Sequence, residues 1–180
     1  FQIQEFEDGL FNDSLLENIK IPDSITRIGN SVFMWCQNLK QVEFSKNSKL
    51  KTIGDRAFNY STFGRICFPS SLIEIGEYAF AMNGNLENIE FPEDSQTKII
   101  KQNAFGWTGI HSIILPSHLT ILDYYFPQCK NLKSIKFQEN SEVQEIKRLA
   151  LSDISIESFK IPSSVVKLED GWCDETEKLI

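Results

Sequence analysis

Apolar residues recur along the chain in a fixed order. Across residues 70–92 they run Leu72, Ile75, Ala79, Phe80, Leu86, Ile89 and Phe91, closed by Pro92. A small residue followed by Phe marks the same point in neighbouring stretches, at Val32-Phe33, Ala57-Phe58, Ala79-Phe80 and Ala104-Phe105. Weaker versions stand at Leu10-Phe11, Tyr125-Phe126, Ala150-Leu151 and Trp172-Cys173. Successive markers are 22, 25, 22, 25, 21, 25 and 22 residues apart. A period in this range is the signature of a stacked repeat array.

Long and short units alternate. The extra residues fall at 45–48, 93–97 and 138–142, whereas the intervening turns are as terse as Asp23-Ser24, Ser70-Ser71, Ser117-His118 and Ser163-Ser164. The period is therefore a pair of units, about 47 residues. This spacing suggests growth by duplication of pairs.

Before the turns, apolar and polar residues alternate: Ile19-Lys20-Ile21, Val42-Glu43-Phe44, Ile66-Cys67-Phe68, Ile89-Glu90-Phe91 and Ile135-Lys136-Phe137. That is strand period with one face buried. Pro22, Pro69, Pro92, Pro116 and Pro162 then end the strands, since Pro has no backbone donor and fixes φ. No unit holds a helix-length apolar pattern, and residues 76–80 have room for one helical or 3₁₀ turn. One unit cannot offset the entropy of ordering its own backbone. Stacking buries both of its faces and pairs its strand edges, which predicts a quasi-linear solenoid.

The pattern Cys36-x-x-Leu39-x-x-Val42-x-Phe44, followed by Leu50-x-x-Ile53-Gly54-x-x-Ala57-Phe58, resembles the treponemal-type, or BspA-like, leucine-rich repeat, over residues 3–168. The resemblance implies a right-handed, β-rich solenoid. A parallel sheet would line its concave face, with short turns or 3₁₀/helical turns on the convex side. It also implies a cell-surface or secreted protein of the kind found in trichomonads and mucosal bacteria. The pattern departs locally. Phe126 lacks the preceding Ala and one spacer residue, and Trp172-Cys173 runs into the acidic residues 174–177.

At 180 residues the chain reads as one leucine-rich-repeat domain, 1–180, of about seven to eight units of 22–25 residues. It starts and stops inside units, so a fragment of a longer protein is expected. A net charge of −7 argues against nucleic acid, which needs clustered Lys and Arg. No apolar run is long enough to span a bilayer, and residue 1 opens no signal-peptide pattern.

Cys36 and Cys129 hold equivalent places four units apart, roughly 19 Å at the ~4.8 Å spacing of strands. That exceeds the ~7 Å limit between the Cα atoms of a disulfide. They read as buried ladder residues with free thiols. Sequons at Asn12-Asp13-Ser14 and Asn59-Tyr60-Ser61 are compatible with secretion.

Between the buried strand positions lie two polar columns on the expected concave face. One is Asn18, Gln41, Arg65, Asn88, Ser112, Ser134 and Ser158; the other is Lys20, Glu43, Cys67, Glu90, Ile114, Lys136 and Lys160. A solvated face without a ligand is the plain alternative to a binding surface. Two features favour binding, centred on Gln41, Glu43, Arg65, Cys67, Asn88, Glu90, Ser112 and Ile114. Cys67 and Ile114 are apolar at polar positions, and Glu43 with Glu90 stands apart from Lys136 with Lys160. A second stripe follows each marker by two residues: Trp35, Tyr60, Met82 and Trp107. It is either a half-buried ladder packing a bend or an exposed patch for a partner.

Catalysis has little support. Cys67 and His111 are the best nucleophile–base pair, yet the expected separation is roughly 14 Å against a hydrogen-bond reach of ~3 Å. No His/Cys spacing suits zinc, and acidic residues do not recur at matched positions for calcium. Gly29, Gly54 and Gly76 follow Ile in three units, but Lys101, Asp123 and Lys147 take that place elsewhere. Gly therefore reads as convenient rather than required, and no phosphate loop or cofactor is implied. Glu169-Asp170 and Glu175 with Glu177 read as solvated charge. The expectation is a non-enzymatic adhesion module that binds a host matrix or cell-surface protein. The alternative is a structural spacer or self-associating scaffold.

Overall fold

The computed structural model describes residues 2–156 and 158–174. Among the described residues eight short strands recur, one per coil, and each of the first six is followed by a longer one. In chain order they are β1 (Glu5–Phe6), β2 (Asn18–Lys20), β3 (Arg27–Ile28), β4 (Gln41–Glu43), β5 (Thr52–Ile53), β6 (Arg65–Cys67) and β7 (Glu74–Ile75). They continue as β8 (Asn88–Glu90), β9 (Ile99–Ile100), β10 (Ser112–Leu115), β11 (Ile121–Leu122), β12 (Ser134–Phe137), β13 (Glu145–Ile146) and β14 (Lys167–Leu168). Every pairing is parallel and joins neighbouring coils, so the fold is a leucine-rich-repeat β-solenoid.

The marker rings form the spine. Phe11, Phe33, Phe58, Phe80, Phe105 and Phe126 stack in sequence with centroids 4.9–5.8 Å apart, tilted by no more than 20°. Ile28, Ile53, Ile75 and Ile100 stack in register beside them on the short strands. Repetition of one apolar template thus becomes a set of parallel buried columns, and no coil has a core of its own.

The turns carrying the markers are hydrogen-bonded to the next coil: Phe33 N–H donates to Ala57 O at 2.7 Å, and Phe58 N–H to Ala79 O at 2.8 Å. No helix forms there among the described residues. The cause is visible in the backbone, because two residues per turn take the left-handed conformation. In three successive coils they are Arg56 and Tyr60, Tyr78 and Met82, Asn103 and Trp107. A left-handed residue on either side of the marker prevents helical propagation.

The glycine reading needs correction. A Cβ on Gly76 would lie 2.5 Å from the backbone carbon of Gly54, and one on Gly54 would lie 2.6 Å from that of Gly29. Within this column a side chain collides with the coil beneath, so Gly is required there. Lys101 occupies the same place only where the column ends.

The two-unit period is written into the longer strands. They pair as β2 with β4, β6 with β8 and β10 with β12, and no ladder joins β4 to β6 or β8 to β10. Marker and strand are seven residues apart in Phe11 to Asn18, Phe58 to Arg65 and Phe105 to Ser112. They are eight apart in Phe33 to Gln41, Phe80 to Asn88 and Phe126 to Ser134. An eight-spaced coil pairs with the seven-spaced coil before it and not with the one after it.

The short strands form one five-stranded ladder, β1-β3-β5-β7-β9, and a separate one, β11-β13-β14. The interruption falls at the coil that lacks a spacer. Ile53 precedes Phe58 by five residues, whereas Leu122 precedes Phe126 by four.

Candidate functional site

The eight residues singled out on the longer strands divide by surroundings. Gln41, Glu43, Arg65, Cys67, Asn88, Glu90, Ser112 and Ile114 flank the buried Val42, Ile66, Ile89 and Ile113; all but Ser112 and Ile114 lie on three-residue strands with an exposed–buried–exposed pattern. Pleating turns their side chains to one face. Arg65 Nη2 donates to both carboxylate oxygens of Glu90 at 2.9 Å, and Cys67 Sγ donates to Glu90 Oε2 at 3.3 Å. These bonds follow from register, since Arg65 pairs with Asn88 and Cys67 with Glu90.

The electrostatics follow the geometry. The Arg65 guanidinium holds the Glu90 carboxyl below its usual range, and Glu90 in turn raises Arg65. Desolvation pushes the Cys67 thiol up, and the bond to Glu90 adds to it. The expected acidic half of the face is therefore largely neutralised at Glu90. Glu43 instead accepts from the Gln41 amide.

The missing ladder between β4 and β6 opens a groove of about 620 Å³, lined by Lys20, Lys40, Gln41, Glu43, Phe44, Arg65 and Cys67. A second hollow of about 750 Å³ lies beside the ends of β10 and β12 and takes in Ile114, Phe91, Phe137, Gln138 and the His118–Glu142 pair. Gln138 reaches across it, its Nε2 donating to Phe91 O at 3.3 Å and Pro92 O at 2.8 Å. The face thus brings Gln41, Glu43, Arg65 and Cys67 to one groove and Ile114 to another, with Asn88, Glu90 and Ser112 between. The lip residues Phe44, Phe91 and Phe137 were readable only as strand ends. Gln138, two pairs of strands from its acceptors in sequence, carried no signal.

The second stripe is partly open. Trp35 and Trp107 are 38% and 36% exposed, and Tyr60 and Met82 are half-buried. The Trp35 and Tyr60 rings stack 3.9 Å apart at 8°. All four have positive φ, as do Asp13, Gln128 and Asp153 at the same point of other coils. The conformation belongs to the turn, and the aromatic side chains are particular to the middle of the chain.

Cys36 and Cys129 are buried and unpaired, and each thiol donates to a carbonyl one coil back, Phe11 O and Phe105 O, at 3.1 Å. Ser61 and Asn83 occupy the same column and bond Phe33 O and Phe58 O in the same way. The second sequon is thereby a structural element. Asn59 is 5% exposed and its amide donates to Ala81 O. Glu169 accepts from Lys147 and from the Arg148 backbone, while Glu175 and Glu177 lie outside the described residues. Among the described residues no three His, Cys, Asp or Glu side chains cluster as a metal site, and no helix is long and apolar enough to cross a membrane.

A family model, the BspA type leucine-rich repeat region, matches residues 4–125 and 98–179 with six copies. Among solved structures, the pneumococcal vaccine antigen PcpA is 26% identical over 91% of this chain and 44% of its own, with a TM-score of 0.72. A leucine-rich repeat protein from Bacteroides ovatus is 26% identical over 93% of this chain and 49% of its own, with a TM-score of 0.67. The T. pallidum leucine-rich repeat protein superposes with a TM-score of 0.72 over 84% of this chain and 70% of its own, at 24% identity, a likeness of fold. The chain spans less than half the length of the first two. No curated protein matches it.

Proposed function

The chain belongs to the BspA-type leucine-rich repeat family, and from that premise we propose that it is a non-enzymatic protein-binding module of a cell-surface or secreted protein. Its partner is a host matrix or cell-surface protein, held along the face of the longer strands, the concave side of the solenoid. One observation carries this reading. The face is exposed, and the missing β4–β6 ladder leaves an open groove in it where a continuous sheet would be flat. Arg65, Cys67 and Glu90 give the first groove a fixed polar wall, and Phe44 gives it an apolar lip. Pre-organised side chains lower the entropic cost of association. The likeness to a pneumococcal vaccine antigen supports display at a surface.

The test is a surface-plasmon-resonance screen of matrix and cell-surface proteins against the chain. The double variant Arg65→Ala/Asn88→Ala is the control. Removing an anchoring Arg from an interface weakens binding by roughly tenfold or more. Both residues are solvent-facing, so the thermal midpoint is expected to stay within about 2 °C. Equal binding by the double variant moves the site off this face, and absence of any partner favours the spacer role.

A further inference from the structure

We propose that the interruption between β9 and β11 is a second docking site, on the short-strand face, for an extended peptide segment of a partner protein. That segment carries a central aliphatic residue with an acidic residue before it and a basic one after it. The site is independent of the grooves on the longer strands.

Two unrelated observations coincide here. The first is main-chain. Elsewhere each short strand is tied to the one before it: Lys101 N–H donates to Ile75 O at 2.9 Å and Lys147 N–H to Leu122 O at 2.8 Å. The equivalent bond from Asp123 N–H to Ile100 O is not made, nor is one from Ile121 N–H to Lys98 O. The coil with the missing spacer has no left-handed residue corresponding to Arg56, Tyr78 or Asn103, so it cannot bring Asp123 into register. The lost bonds leave a cleft between the two coils at this point.

The second observation is the side chain at the outward position of each short strand. It is Glu5, Arg27, Thr52, Glu74, Glu145 and Lys167 in six coils, and Ile99 and Ile121 in the two that border the gap. These isoleucines are 45% and 38% exposed. They flank a cleft of about 380 Å³ that is also lined by the buried Tyr125. Polar residues at this position everywhere else make the apolar pair specific to the break.

Charge fixes the occupant and its direction. Lys98 stands exposed at the entrance to β9. At the opposite end the Lys101 ammonium bonds Glu74 at 2.9 Å with Asp55 at 3.8 Å, leaving Glu77 and Asp123 as net negative charge in the cleft lining. A strand running parallel to β9 therefore meets Lys98 with its acidic residue and Glu77 with its basic one. The segment lies across the mouth of the cleft, its aliphatic side chain against Ile99 and Ile121.

The experiment is panning of a random linear heptapeptide display library against the whole chain, with Ile121→Lys as the counter-target. A second variant inserts one Asn between Asp123 and Tyr124. It restores the spacer and closes the ladder without touching either isoleucine. Thermal melts establish that both variants fold. The expected result is a consensus of acid, aliphatic and base in that order. Synthetic consensus peptides should bind at least tenfold more weakly to Ile121→Lys and to the insertion variant. Any of three results overturns the proposal. These are no enrichment, a consensus lacking that order, and equal binding to a folded variant. Sedimentation that shows a dimer abolished by Ile121→Lys assigns the cleft to a second copy instead, and also overturns it.

Discussion

The rings of Phe58 and Phe80, from neighbouring coils, lie nearly parallel with centroids 5.1 Å apart and an interplanar angle of 9°. Phe80 also meets Phe68 edge-on at 5.4 Å and stacks on Phe105 at 5.6 Å. It is fully buried. Phe80→Ala is expected to cost about 3–5 kcal/mol, the usual range for a core aromatic, and Phe80→Leu less than half of that. Phe11 is only partly buried and packs at the margin of the core, so Phe11→Ala is expected to cost less. Urea titrations of the three variants check the order.

Gly76→Ala places a methyl group against the Gly54 backbone at 2.5 Å, where no flexible side chain can yield. Gly84→Ala meets nothing within 4 Å and has no positive φ. Gly76→Ala should lower the thermal midpoint by several degrees. Gly84→Ala should leave it unchanged or raise it slightly, because Ala narrows the unfolded ensemble by about 0.4–1 kcal/mol. Differential scanning calorimetry separates the two.

The thiols should differ in reactivity. Cys67 is exposed, while Cys36 and Cys129 are buried. A disulfide reagent should therefore label Cys67, and more slowly the half-buried Cys173, in the folded protein and reach Cys36 and Cys129 only on unfolding. Burial and Glu90 hold the Cys67 pKa above its ordinary value, which keeps thiolate scarce at neutral pH. Glu90→Gln removes the carboxylate and leaves Arg65 facing the sulfur. Labelling at pH 8 should then be faster than in the parent chain; an equal or slower rate would contradict the assigned bond.

Acid stability should reflect Glu169. Its carboxylate accepts from the Arg148 backbone N–H at 3.0 Å and from Lys147 Nζ at 3.1 Å, which lowers its pKa from 4.5 to about 2. A group depressed on folding stabilises the native state above its unfolded pKa, and the contribution is lost as pH falls through the folded value. Stability should therefore decline between pH 4.5 and about 2. Glu169→Gln keeps an acceptor for Arg148 but loses the charge. Its thermal midpoint should be lower at pH 7 and less steep across that window.

The apolar columns were open to sequence reasoning because one template recurs and each copy restates which residues are buried. Phe33, Phe58, Phe80 and Phe105 needed no structure to be placed in one stack. The short strands were not foreseen. Two residues such as Thr52-Ile53 are too few to show alternation, and they are strands only because neighbouring coils pair with them. The left-handed turns were hidden for another reason. Trp35, Tyr60 and Trp107 are poor residues for positive φ, and only the inter-coil hydrogen bonds of the turn make that conformation worth its cost. The missing spacer before Phe126 was visible in the sequence, but its effect on the ladder depends on register in three dimensions. The polar face was located by alternation alone, whereas its β4–β6 groove arises from a one-residue difference between alternate coils.

That alternation sets a rule for how such a chain can change length. Cutting out one coil would bring two like-spaced coils together and leave one of them without its proper mate. Removing or adding two at a time keeps every mate in place. Heredity and protein engineering alike must therefore edit this molecule in double steps, and a family built this way should favour even numbers of added turns.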